Sequence, residues 1–414
     1  MVRAPNIFSR LTYGLFVAFI YLNIVMPGPY NFIVTAKKYV FFAFVASFCF
    51  YALSARAKIS FSIVGYVTLA ISLVTCMSVF SLVVGNDVED IARFSSPLLF
   101  LLAGPILFGI RGRYKLERYL KHVLASVMII SMITLALACI TVFYLNEMAL
   151  FLRAMDSNFN IIWFPASGVR ISVQTAPFML AGIYIAYYYY AKTEENRYLI
   201  ACMIIALAIY FTKTVGIWLA LLIGFPILVI TLKKIRLSSV AAALCVLTAV
   251  CVMVLPEIAS SWGDKEGSYD VKRQQVVNGV RAFQDYLWLG RGLGFKFTEI
   301  DDRNASQSVI EVLPILFLVD GGILGFSIYI FIYFAPVLLA LSSRNKPSSV
   351  YVITIAHFSI IAAGFTNPYF ISGGTGFFFI VLMLAYYRGE SSPYGTSQVR
   401  RDSLPKNGMA EALR

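Results

Sequence analysis

The chain has 414 residues, 59% of them hydrophobic, with a mean hydropathy of +0.78 and 34 Lys+Arg against 21 Asp+Glu. That balance excludes a soluble globule and predicts a polytopic membrane protein. The formal charge of +13 calls for no nucleic acid, because basic loops facing anionic lipid account for most of it.

Spanning the hydrocarbon takes roughly 20 residues of helix, and lipid offers no partner for unpaired backbone groups. Twelve apolar segments meet that demand in chain order: Leu11–Pro27, Tyr39–Ala55, Ile59–Val84, Ala92–Ile110, Val123–Leu145, Ile171–Ala191, Tyr198–Thr212, Val215–Leu232, Leu237–Pro256, Gly321–Leu341, Val350–Phe365 and Tyr369–Tyr387. The expected fold is therefore all-α, with about twelve transmembrane helices and one long outer loop. The runs are too long and too continuous for a β-barrel. The first reads as an anchor that stays rather than a cleaved signal. Four parts follow: 1–256 with spans one to nine, 257–320 with the loop and a short interfacial helix, 321–387 with spans ten to twelve, and a polar tail over 388–414. With the N-terminus in the cytoplasm, 21 of the 34 Lys+Arg fall on the cytoplasmic side. Both termini then lie inside. Lys37 and Lys38 fit that assignment badly, at the outer end of span two.

The polar elements follow the same order. Glu147–Arg170, ahead of span six, carries Arg153, Asp156, Trp163 and Arg170. Tyr187–Tyr190 end span six as an aromatic belt. Lys213 sits in a very short outer turn between spans seven and eight. The stretch from Glu257 to Val309 holds seven Lys/Arg and eight Asp/Glu, so it is nearly neutral. Inside it, Arg273 and Arg281 stand eight apart, about two helical turns, on one face. Gly290-Arg291-Gly292-Leu293-Gly294 follows; glycines at alternate positions let a backbone approach a ligand and expose its N–H groups. From Ile310 to Leu341 one helix would run about 48 Å, too long for a single span, so Gly321-Gly322 marks a break. Glu311 and Asp320 then lie at the outer membrane surface. All six cysteines fall inside apolar runs, which predicts neither disulfides nor a thiolate metal site. The two histidines, His122 and His357, lack metal-ligand spacing, and mid-span His357 reads best as a helix–helix hydrogen bond.

Guanidinium forks suit phosphate and diphosphate oxygens. Arg170, Lys213, Arg273, Arg281 and Arg291 could hold such a group, with Gly292 and Gly294 bringing backbone beside it. Each has a bland alternative. Arg170 reads equally as a span-flanking residue that snorkels. The loop arginines read as a solvated face, and Glu311 reads as an acid in the first turn of a helix. Glu299, Asp301 and Asp302 read best as a solvated turn.

The ordered set of an outer-loop Arg, Gly-x-Gly-x-Gly about 17 residues on, and Gly322-Ile323-Leu324-Gly325 entering the next span resembles the bacterial O-antigen polymerase and O-antigen ligase superfamily, including exopolysaccharide polymerases. Phe211-Thr212-Lys213-Thr214 and Thr366-Asn367-Pro368 are similar to elements of that family as well. The topological likeness covers the chain, while the motifs cover only about 211–220 and 273–325. The resemblance implies a GT-C-like glycosyltransferase using undecaprenyl-diphosphate-linked oligosaccharide at the periplasmic face of the inner membrane. It implies no metal or other cofactor, and it leaves room for a chain-length regulator beside membrane lipid as partners. Arg281 to Gly292 fits the family's Arg–ten residues–Gly pattern; Arg170 to Gly182 misses it by one. The ligases' histidine position is occupied by Glu311, or in a second register by Ser306-Gln307, which favours polymerase over ligase. The expected roles are Glu311, Arg273 and Arg281 as catalytic residues, and Arg170, Lys213, Arg291, Gly292, Gly294 and Asp320 in substrate binding. Two rivals stand: transfer of finished glycan to lipid A core or protein, and a flippase for lipid-linked oligosaccharide.

Overall fold

The computed structural model describes residues 7–26, 31–55, 59–110, 114–144, 159–164, 168–173, 175–232, 266–296, 312–342, 347–365 and 375–386. In chain order the elements are α1 (Ile7–Ile24), α2 (Asn31–Ala55), α3 (Phe61–Val83), α4 (Val88–Ser95), a 3-10 turn (Ser96–Leu102), α5 (Ala103–Ile110), α6 (Leu116–Phe143), β1 (Phe159–Phe164), β2 (Gly168–Val173), α7 (Ala176–Thr193), α8 (Asn196–Thr212), α9 (Val215–Thr231), α10 (Glu266–Asp285), α11 (Leu313–Ser342), α12 (Ser348–Gly364) and α13 (Thr375–Ala385). Among the described residues, six helices are long and apolar enough to cross a membrane: Ile7–Ile24, Thr35–Ala55, Phe61–Val83, Val88–Ile110, Leu116–Thr141 and Leu313–Leu341.

The remaining predicted spans appear differently. Spans seven, eight, eleven and twelve are shorter apolar helices, Asn196–Thr212, Gly216–Thr231, Ser348–Gly364 and Gly376–Ala385. Span six is α7, and Leu237–Pro256 lies outside the described residues. Helix α2 begins at Asn31, so Lys37 and Lys38 fall within it rather than at its outer end. Among the described residues, the one departure from an all-helical chain is an antiparallel hairpin pairing Phe159 with Val173 through Phe164 with Gly168. Its strands, FNIIWF and GVRISV, are rich in β-branched and aromatic residues, which suit a pleated surface better than a helix.

Helix α7 is the centre of the bundle: every residue from Ala176 to Tyr189 is buried. It packs against α6, α8, α9 and α12. A helix apolar on all sides belongs inside a protein. Tyr187, Tyr188 and Tyr189 are buried too, which corrects the aromatic-belt reading; Tyr189 donates its hydroxyl proton to the Glu117 carbonyl at 2.6 Å. Gly182 allows this density, since a Cβ there would lie 2.5 Å from Val127 Cγ1. His357 does make an interhelical hydrogen bond, 3.0 Å from Nε2 to the Tyr333 carbonyl.

Helices α3 and α11 run antiparallel at one side of the bundle. Tyr66, near the start of α3, donates to the Ile332 carbonyl at 2.5 Å. Ser81, near its end, meets the loop that grips the first half of α11.

Candidate functional site

Helix α11 is broken where Gly321-Gly322 predicts. Gly322 takes φ 59° and ψ −159°, a conformation open in practice only to glycine. A broken helix leaves carbonyls and N–H groups without partners, which is costly in lipid. The loop after α10 supplies them. Arg291 and Gly292 donate their N–H groups to the Val319 and Asp320 carbonyls at 2.7 and 2.9 Å. In return, the Ile323 and Leu324 N–H groups donate to the Leu287 and Trp288 carbonyls at 2.9 and 3.1 Å. Gly290 permits the contact: its φ is 66°, and a Cβ would lie 2.5 Å from both Gly322 N and Val319 O.

The same loop is clamped from its other side by the end of α3. Leu293 N–H donates to Ser81 Oγ at 2.6 Å, and Asn86 Nδ2 donates to the Arg291 and Leu293 carbonyls at 2.9 and 3.1 Å. Lys296 reaches Asp90 at 3.3 Å and Asp87 at 3.4 Å. The Asp87 carboxyl is held below the usual carboxylate range, first by the Glu89 N–H and then by Lys296. Hydrogen bonds to Asp90 and then Asp87 push the Lys296 ammonium up in turn.

These contacts give part of the predicted site a structural role. Gly292 and Gly294 do approach another backbone closely, but it is that of α3 and α4. A Cβ at Gly292 would lie 2.6 Å from Asn86 Nδ2, and one at Gly294 2.8 Å from Asp90 Cβ. Arg291 is held within its own loop, stacked 4.1 Å over the Tyr286 ring and 3.5 Å from Asp285. Both glycines and Arg291 thus build the clasp. Ser81, Asn86, Asp87 and Asp90 are the partners that sequence reasoning missed. Their only local signal is the turn Gly85-Asn86-Asp87, where Asp87 caps α4 by accepting from Glu89 N–H at 2.9 Å.

Asp320 lies at the centre of the clasp. Its side chain is 1% exposed. The Gly294 N–H faces its carboxyl as a donor, and Oδ1 has no hydrogen-bond partner among the described residues.

A second group forms at the end of α8. Lys213 is buried and caps that helix in the left-handed conformation, φ 48° and ψ 35°. Arg170 on β2 donates through Nε to the Thr212 carbonyl at 3.2 Å, and Thr214 Oγ1 donates to the same carbonyl at 3.2 Å. The hairpin therefore carries Arg170 to the turn that holds Lys213. Arg273 and Arg281 share the exposed face of α10, whose opposite face, with Gln275, Gly279 and Phe283, turns inward as α10 packs on α11. Glu311, Glu299, Asp301, Asp302, Ser306-Gln307 and Thr366-Asn367-Pro368 lie outside the described residues.

No family model matches the chain, and no curated protein matches it. Its class rests on the fold: a mostly helical chain with several helices long and apolar enough to cross a membrane, as in a multi-pass membrane protein.

Proposed function

We propose that this chain is a bacterial inner-membrane polysaccharide polymerase, a GT-C-like enzyme of about twelve spans with both termini in the cytoplasm. It transfers a growing glycan from its undecaprenyl diphosphate onto the next lipid-linked repeat unit at the periplasmic face. An acceptor hydroxyl attacks the donor's anomeric carbon and the new glycosidic bond forms. The bond from that carbon to phosphate oxygen breaks, and undecaprenyl diphosphate leaves with the electron pair. The acceptor hydroxyl gives up its proton, for which Glu311 is the assigned carboxylate.

The observation that carries this reading is the meeting of Arg170 with the Lys213 turn. Two cationic residues from segments 42 positions apart are drawn to one helix end. A guanidinium and an ammonium brought to one helix end suit the oxygens of a diphosphate, most strongly as its charge develops in the transition state. Arg273 and Arg281, on the water-facing side of α10, supply further cations for the second lipid-linked substrate.

The test is a deletion in the source bacterium, with the lipid-linked intermediates analysed by mass spectrometry. Single repeat units accumulating on undecaprenyl diphosphate at the periplasmic face support the reading. Full-length chains left on the lipid would make the protein a ligase instead. Units trapped at the cytoplasmic leaflet would make it a flippase.

A further inference from the structure

Between α3 and α11 lies a cleft of about 500 Å³. Cys76, Met77 and Phe80 form one wall, and Leu324, Ile328 and Phe331 the other. The helices are tied at both ends of it, directly by Tyr66 to Ile332 and, through the loop after α10, by Ser81 to Leu293. About 22 Å of α3 runs between those ties at 1.5 Å per residue. The cleft is therefore a built separation. Its floor is smooth because Gly321 and Gly325 carry no side chain; a Cβ at either would first meet the flexible Met77 methyl, at 2.9 and 2.8 Å. Cys76 is exposed and Leu324 is 48% exposed, so the cleft opens outward, toward lipid in a membrane. Asp320 is the one charged residue among its lining residues, and it is the buried side chain whose Oδ1 lacks a partner.

We propose that this cleft seats one hydrocarbon chain of a membrane amphiphile whose head group donates a hydrogen bond to Asp320. The walls from Asp320 to Phe331 extend about 16 Å along α11, the dimension of an extended chain rather than a globular ligand. A buried polar atom without a partner is costly, so a donor arriving at Oδ1 is favoured. An ionised phosphate or diphosphate brings only acceptor oxygens to this point and no proton to donate. The head group is therefore a hydroxyl or an ammonium. This site is separate from the Arg170–Lys213 turn and does not depend on the polymerase reading.

The test uses the full chain in detergent micelles and three photoactivatable C16 probes: an alcohol, its methyl ether and the corresponding primary amine. The alcohol should label peptides of α3 and α11 saturably, with the ether, which has no proton to donate, at least about fivefold weaker. Asp320→Leu should lower alcohol labelling to the ether's level. The alcohol should also slow N-ethylmaleimide alkylation of Cys76 in the unmodified protein, a readout that needs no variant to fold. An amine equal to or better than the alcohol supports the site with a cationic head group. Equal labelling by alcohol and ether, unsaturable labelling, or Cys76 alkylation indifferent to the alcohol would overturn the proposal. None of these readouts involves sugar transfer, so this proposal and the polymerase assignment fail independently.

Discussion

Replacing Gly322 with alanine tests the clasp directly. Alanine at φ 59° and ψ −159° costs about 1–3 kcal/mol in backbone strain alone. Its Cβ would also lie 2.4 Å from Trp288 C and 2.5 Å from Trp288 O, both backbone atoms that cannot rotate away. The chain has two ways to respond. It can keep the clasp and bear strain plus overlap, or release the loop and lose four hydrogen bonds of 2.7 to 3.1 Å, each contributing about 1 kcal/mol net. Either route costs roughly 3 kcal/mol or more, so opening of the clasp should become about 100-fold more frequent, at a factor of ten per 1.4 kcal/mol. Hydrogen exchange read by mass spectrometry on peptides covering 287–294 and 319–326 measures this. Gly14→Ala is the control, since nothing lies within 4 Å of a Cβ there and a helix interior favours alanine. Gly325→Ala should have a smaller effect than Gly322→Ala, because its tight contact is the flexible Met77 methyl. If exchange in Gly322→Ala matches that of Gly14→Ala, the loop does not hold the break together.

Three further outcomes are expected. Lys213→Gly relieves a left-handed lysine, so thermal stability should hold or rise by about 1 kcal/mol while polymer ladders on gels fall 10²-fold or more; parallel loss of fold and ladders would make Lys213 merely structural. Gly224→Ala should destabilise by about 1–3 kcal/mol, because its Cβ would meet Tyr184 Oη at 2.2 Å and Ser359 Oγ at 2.5 Å, and adding Tyr184→Phe should recover part of that loss in a double-mutant cycle. The tie of Lys296 to Asp87 and Asp90 has a defined pH window. The lowered Asp87 group contributes above about pH 4 and loses its contribution as pH falls through its folded pKa. The raised Lys296 group contributes fully below about pH 10 and loses its contribution as pH rises through its folded pKa. Exchange of the 287–296 segment should thus be protected between about pH 5 and 9, after correction for intrinsic rates, and Lys296→Met should lower that protection across the whole window and remove its alkaline dependence. High salt should weaken the tie, since both partners face water.

Sequence patterning alone determined the helical, membrane-crossing character of this chain. Runs such as Phe61–Val83 leave no other way to satisfy their backbone in lipid, so composition is sufficient. It also marked the break in α11, because Gly321-Gly322 interrupts a run too long for one span. It marked the constrained turn at Lys213 and the interhelical role of His357, since a tight connection and a polar group in an apolar helix each admit few solutions. It left Phe159–Phe164 and Gly168–Val173 without strands and began span six at Ile171, because apolar periodicity does not distinguish short β-branched runs that pair as a hairpin. It also placed the Tyr187–Tyr190 ring cluster at the lipid surface, because the sequence of a helix does not say how many neighbours surround it.

Only the tertiary structure decided which partners the loop glycines serve. Gly290, Gly292 and Gly294 look alike as an alternating motif, yet one meets the break in α11, one the end of α3 and one the start of α4. Those neighbours lie about 30 to 210 positions away along the chain, and close approach between backbones depends on the packing of whole helices. The same holds for Asp320. Its burial, its free oxygen and the apolar cleft it lines arise from where α3 is tied to α11, a distance in space that no local pattern encodes.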